Sequence, residues 1–165
     1  MYEYLITLLP LILSYITTFL FVKNKNSNDK WYKSLYKPKE TPPSWVFGIV
    51  WPVLYFLMGV ALNKINKFDQ CDIFSKMCPP LIYFFIQLVL NNSWSIIFFK
   101  FKNIKLALAN IIILLFFVMK TYAEFRKYSE SISEYLLPYV LWLCYATFLN
   151  YKILILNKDR NLETI

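Results

Sequence analysis

Apolar residues fall along the chain in five long runs separated by charged links. The first covers about residues 4–22, YLITLLPLILSYITTFLFV, without a single charge. The others cover about 45–63, 80–99, 104–122 and 135–156. Each run is close to the ~20 residues that a helix needs to cross a bilayer core. The pattern predicts an all-α integral membrane protein, a five-transmembrane-helix bundle forming one domain over 1–165, with a lid-like loop at 23–44. The first run is expected to be a retained helix rather than a cleaved leader. Met1-Tyr2-Glu3 offers no basic start, and no small-residue cleavage site follows.

Five spans place the two termini on opposite sides. The link after span one carries Lys23, Lys25, Lys30, Lys33, Lys37 and Lys39, and the link between spans three and four adds Lys100, Lys102 and Lys105. Lys158 and Arg160 of the tail lie on the same side, and Lys152 is close enough to snorkel to it. The other side holds Lys64, Lys67, Lys76, Lys120, Arg126 and Lys127. By the positive-inside rule, the N-terminus is expected outside and the C-terminus in the cytoplasm.

Composition narrows the class. Of 165 residues, 58% are hydrophobic, 20% aromatic and only 17% charged. Mean hydropathy is +0.44. A soluble domain of this size could not cover so much apolar surface, which excludes a cytoplasmic globule, a disordered tail and a fibrous repeat. The net charge of +8 fits basic loops beside a membrane, and no nucleic-acid partner is expected. Histidine is absent, so the commonest general base and metal ligand are missing; no metal and no required cofactor are expected. Cys71 and Cys78 share the link between spans two and three, where they can pair in an oxidising compartment or stay free thiols. Cys144 lies within span five, where packing is its expected role.

Polar side chains inside the spans need partners or a purpose. Gln87, Asn91, Trp94/Ser95 and Phe98 form one helical stripe. Trp142, Ala146 and Asn150 form a second, and Trp51, Tyr55 and Met58/Gly59 a third. One reading is an interhelical cavity in which indoles provide flat walls, amides orient a ligand, and Ala146 or Gly59 leaves room. The other is plain helix packing, with amides bonded across helices and small residues permitting close approach. The first link is aromatic and proline-stiffened: WYKSLYKPKETPPSW contains Trp31, Tyr32, Tyr36 and Trp45. Its prolines disfavour helix around them. Such a segment either caps the bundle as a lid or rests in the headgroups.

These residues carry a family resemblance. WYKSLYKPKETPPSWVFGIVWPVLYFLMGVAL at 31–62, QLVLNNSWSIIFF at 87–99 and LLPYVLWLCYATFLNYKI at 136–153 resemble the signatures of the TspO/MBR family, the tryptophan-rich sensory proteins and mitochondrial translocator proteins (peripheral benzodiazepine receptors). The resemblance implies a five-helix bundle, often a homodimer, that binds porphyrins such as protoporphyrin IX, with sterols and benzodiazepine-type drugs as further ligands. It places the ligand at the cytosolic end under the first loop. By motif, Trp51, Asn91, Trp142, Ala146, Leu149 and Asn150 fall at pocket positions, with Phe47, Tyr55, Trp94 and Pro43 as further contributors. Two departures stand out. Lys152 directly follows Tyr151, which breaks the sterol-recognition pattern, and Asn110 stands where many members carry an acidic residue.

Three functions remain in play. A porphyrin sensor, receptor or transporter would stack the macrocycle on aromatics, with loop lysines near its carboxylates. A light-dependent porphyrin-degrading enzyme would work oxidatively through Trp51 and Trp142, since no acid–base pair lies within the spans. A non-catalytic scaffold would bind partner membrane proteins and hold only lipid. Both a bacterial membrane and the mitochondrial outer membrane suit the sequence.

Overall fold

The computed structural model describes residues 2–22 and 25–158, with side chains from residues 3–22 and 27–158. Lys23 and Arg160, counted above for orientation, lie outside the described residues, as does the side chain of Lys25. Among the described residues seven α-helices follow in chain order: α1 Tyr2–Phe21, α2 Lys25–Ser34, α3 Ser44–Ile65, α4 Pro79–Ser95, α5 Ile104–Tyr128, α6 Glu130–Ser133 and α7 Leu137–Leu156. A π-turn, Ile96–Lys100, extends α4, and a 3₁₀ turn, Glu134–Leu136, joins α6 to α7. Among the described residues, five helical segments are long and apolar enough to cross a membrane: Glu3–Phe21, Ser44–Ile65, Pro79–Lys100, Ile104–Tyr128 and Glu130–Leu156. Their outward faces carry large apolar side chains such as Leu5, Ile12, Phe56, Val89, Ile112 and Phe116, the surface that lipid covers. This is an all-α, five-span membrane bundle.

The spans are held together by close approach and by polar contacts spaced at four residues. Along α1 and α3, Lys67 pairs with Glu3 at 2.8 Å, and Asn63 donates to the Thr7 hydroxyl at 3.2 Å. One turn further, Gly59 lies so close to α1 that a Cβ there would meet the Thr7 carbonyl oxygen at 1.7 Å. Gly59 therefore serves helix packing rather than leaving room for a ligand. In the core, Met58, Leu62, Phe84, Leu114, Phe125 and Leu143 are buried, and Phe84 stacks on Phe125 with centroids 6.0 Å apart.

The two ends of the bundle differ. At one end Cys71 and Cys78 form a disulfide across a sequence separation of 7, so the two thiols left open by sequence are paired. Within that loop Asp72 accepts from the amides of Phe74 and Ser75, each at 2.8 Å, and from the Ser75 hydroxyl at 2.9 Å. These donors hold its carboxyl below the usual aspartate range. We call this the disulfide end. At the other, the lid end, Asn103 caps α5 by accepting from the Leu106 amide at 2.9 Å. Cys144 is exposed on α7 and so faces outward rather than packing in the core.

Residues 25–34 are helical, where the sequence predicts a lid-like loop over 23–44 with prolines disfavouring helix. The prolines all follow α2, so their steric restriction acts on 37–43 and leaves the preceding ten residues free. Asn28, Trp31 and Leu35, at helical spacing, form its buried face.

Candidate functional site

The lid is fastened rather than draped. Trp31 is 1% exposed and Leu35 4%; they pack with Phe98, Ile104, Ala107 and Ile153 in a second small core. Burial of side chains this size contributes about 1.5–3 kcal/mol each. The Tyr36 amide donates to Asn157 Oδ1 at 3.1 Å, Asn157 Nδ2 donates back to the Tyr36 carbonyl at 2.8 Å, and the Tyr145 hydroxyl donates to the Glu40 carbonyl at 2.5 Å. At about 1 kcal/mol net for each bond, lifting this segment would cost several kcal/mol in all. Lys37 lies over the Tyr32 ring, 4.6 Å from its centroid. Burial lowers the pKa of that ammonium and raises that of the Tyr32 phenol.

Beneath the lid, in the lid half of the bundle, lies a cavity of about 380 Å³. That volume falls within the range of small-molecule sites. Its walls are aromatic: Phe47, Trp51 and Tyr55 from α3, Trp94 from α4, Phe98 and Phe99 from the π-turn, and Tyr32 from the lid. Trp51 stacks on Tyr55 with centroids 5.6 Å apart, and Trp94 on Phe98 at 4.8 Å. Ala146, Leu149 and Asn150 contribute the α7 wall. Polar lining comes from Ser14 and Thr18 of α1, Asp29 of α2, and Thr41 and Ser44 before and at the start of α3. The Thr41 hydroxyl is buried without a hydrogen-bond partner, so a bound molecule could satisfy it.

The amides chosen from sequence bond across helices, and two of them, Asn91 and Asn150, also line the cavity. Asn91 accepts from the Tyr55 hydroxyl at 2.5 Å and donates to the Tyr139 hydroxyl at 2.7 Å, which in turn donates to Gln87 at 3.1 Å. Trp94 Nε1 donates to Asn150 Oδ1 at 3.0 Å, and Asn150 Nδ2 to the Ile104 carbonyl at 3.2 Å. These bonds join α3, α4, α5 and α7 and fix the cavity walls. Gln87 does not line the cavity; its Nε2 points toward the Met58 sulfur at 3.8 Å.

Of the ten residues singled out from sequence, Phe47, Trp51, Tyr55, Asn91, Trp94, Ala146, Leu149 and Asn150 line this cavity. Two do not. Trp142 stands behind Phe47, edge-on at 5.6 Å, and lines an outer groove instead. Pro43 is the exposed residue immediately before α3, and it positions the lid exit rather than a wall. An oxidative pairing of Trp51 with Trp142 therefore places only Trp51 at the cavity. Sequence reasoning missed Asp29, Thr41 and Phe99 as wall residues. Phe98 was visible at the end of the α4 stripe, but the π-turn that swings Phe99 inward left no signature. Asp29 is the charged residue among the described lining, where lysines were expected beside a ligand's carboxylates.

A bundle of five spans closed over an aromatic, lidded cavity defines a multi-pass helical membrane protein with an internal chamber. Comparison with known proteins identifies it further: residues 6–156 match the TspO/MBR family, and the chain belongs to that family. It is 35% identical over 131 residues to the tryptophan-rich protein TspO of Chlorobaculum tepidum, covering 77% of this chain and 79% of that one. It is 39% identical over 127 residues to its counterpart in Archaeoglobus fulgidus, covering 77% and 80%. With the human translocator protein it shares 34% over 122 residues, covering 74% and 72%.

Proposed function

We propose that this protein binds a flat, largely apolar molecule of the porphyrin class, such as protoporphyrin IX, in the cavity beneath the lid, and acts in tetrapyrrole sensing or transport. The observation that carries the reading is the wall itself: stacked Trp51–Tyr55 and Trp94–Phe98 pairs enclosing about 380 Å³. Such surfaces suit a planar conjugated ring, and the unpartnered Thr41 hydroxyl supplies a polar contact at its edge. Sterols and benzodiazepine-type molecules are secondary candidates for the same apolar volume. Membrane lipid surrounds the bundle, and a homodimer is proposed only from the family resemblance. The proposed orientation puts the lid end in the cytoplasm and the disulfide end outside.

The test is titration of the detergent-solubilised protein with protoporphyrin IX, followed by quenching of tryptophan fluorescence. Saturable binding is expected for the wild type. Ala146→Phe, which places a ring into the cavity, should weaken it at least about tenfold, or 1.4 kcal/mol, with thermal unfolding little changed. Linear, unsaturable quenching identical in both proteins would mean partitioning into the micelle and would remove the proposal.

A further inference from the structure

The cavity has a second boundary besides the lid. On the outer surface between α3 and α7 runs a groove of about 460 Å³, lined by Val50 and Val53 on one side and by Leu141, Trp142 and Tyr145 on the other. It is apolar and lies within the spans, so it opens onto lipid. Phe47 faces the cavity, Trp142 faces the groove, and the two meet edge-on with centroids 5.6 Å apart. That aromatic pair stands between the two spaces.

The surrounding backbone is built loosely at this seam. α3 packs chiefly on α1 and on the 3₁₀ turn at the disulfide end, whereas its contacts along α7 itself are few. Pro52 lies inside α3 and has no amide hydrogen, so the Gly48 carbonyl one turn earlier lacks its helical donor. Gly48 itself has no atom within 4 Å of where a Cβ would sit, so no close packing requires a glycine there. Proline and glycine together form a flexible point between the body of α3 and the turn bearing Phe47. The Trp142 indole N–H has no hydrogen-bond partner, so turning that ring breaks no bond. The lid, by contrast, is held by two buried side chains and three hydrogen bonds.

We propose that Phe47 and Trp142 form a side gate, and that a membrane-dissolved planar apolar ligand passes through the α3–α7 groove into the cavity while the lid stays seated. This rests on the ligand-binding reading above and adds the route. Trp142 then governs rates rather than affinity.

The test uses the full chain in lipid nanodiscs, with protoporphyrin IX association and dissociation followed by stopped-flow porphyrin fluorescence. Three forms are compared with wild type. Trp142→Leu opens the gate. Gly48→Ala stiffens α3 without a steric clash. Tyr36→Cys with Asn157→Cys, in a Cys144→Ser background, locks the lid when oxidised. Trp142→Leu should speed association and dissociation several-fold together, with Kd nearly unchanged. Gly48→Ala should slow both, and the locked lid should bind at the wild-type rate. Association that stops on locking and returns on reduction would overturn the gate in favour of the lid. So would rates insensitive to both Trp142→Leu and Gly48→Ala, or a Trp142→Leu effect confined to dissociation, which would make Trp142 part of the binding wall. Absence of saturable binding in every form would instead overturn the proposed function, and the gate with it.

Discussion

Asn91 shows what a single residue reveals in sequence and what it conceals. An amide in the middle of a hydrophobic span is conspicuous because it must find partners. Its partners, Tyr55 and Tyr139, lie 36 and 48 residues away, and no local pattern points to them. Since both tyrosine hydroxyls are buried, Asn91→Ala would leave each short of a hydrogen bond. Interhelical side-chain bonds in membranes contribute about 0.6–2 kcal/mol each, so the variant should lose roughly 1–3 kcal/mol in a reversible unfolding assay in mixed micelles. Unchanged stability would mean that water or rearranged neighbours replace the amide. Asp29 was invisible for the opposite reason: a charge in a basic link looks solvated, and only the seating of α2 brings it to the cavity mouth. Its carboxylate opposes an anionic ligand, with partial screening because the residue is exposed. Asp29→Asn should therefore tighten binding of protoporphyrin diacid about threefold to tenfold, and leave its dimethyl ester unaffected. Equal effects on both would show that charge is not what Asp29 contributes.

At the scale of elements, the spans were legible because hydrophobic length is a property of consecutive residues, and four of the five begin within a few residues of the apolar runs that predict them. The misses share a cause. α5 continues to Tyr128, beyond the predicted 122, because Lys120, Glu124 and Arg126 leave the apolar run without interrupting the helix. α2 was hidden because only Trp31 and Leu35 mark its buried face amid polar residues. Gly59 stayed open between room for a ligand and close helix packing because spacing alone does not say whether a small residue faces a cavity or another backbone. The structure answers that with the Thr7 carbonyl. Gly59→Ala must push α1 away from α3, separating Asn63 from Thr7 and Lys67 from Glu3 in turn. Forced separations of this kind cost about 1–3 kcal/mol. We expect a lowered melting temperature with faster proteolysis near the N-terminus, whereas Gly48→Ala, inside α3 with open space around it, should lower neither stability nor protease resistance. Equal tolerance at the two positions would refute the close approach.

For the whole molecule, the two ends carry different chemistry, and that difference bears on orientation. The lid end holds Lys30, Lys33, Lys37, Lys39, Lys100, Lys102 and Lys105, a density of cation that cytoplasmic loops normally carry. The opposite end holds the Cys71–Cys78 disulfide, which forms and persists on the oxidising side of a membrane. The two signals are physically independent, one arising from charge during insertion and the other from redox chemistry afterwards, and they agree. Ser131, exposed at the disulfide end, and Lys39, exposed on the lid, are suitable reporters. In a Cys144→Ser background, Ser131→Cys should react with a membrane-impermeant maleimide in intact cells. Lys39→Cys should react only after permeabilisation. The reverse pattern would turn the molecule over, placing the lid outside and the disulfide in a reducing compartment, where it would not persist. Labelling of both positions in intact cells would indicate mixed insertion. The expected result fixes which aqueous phase the lid faces. It also means that a ligand made in the cytoplasm and one dissolved in the bilayer meet different boundaries of the same cavity: the fastened lid for the first, and the α3–α7 seam for the second.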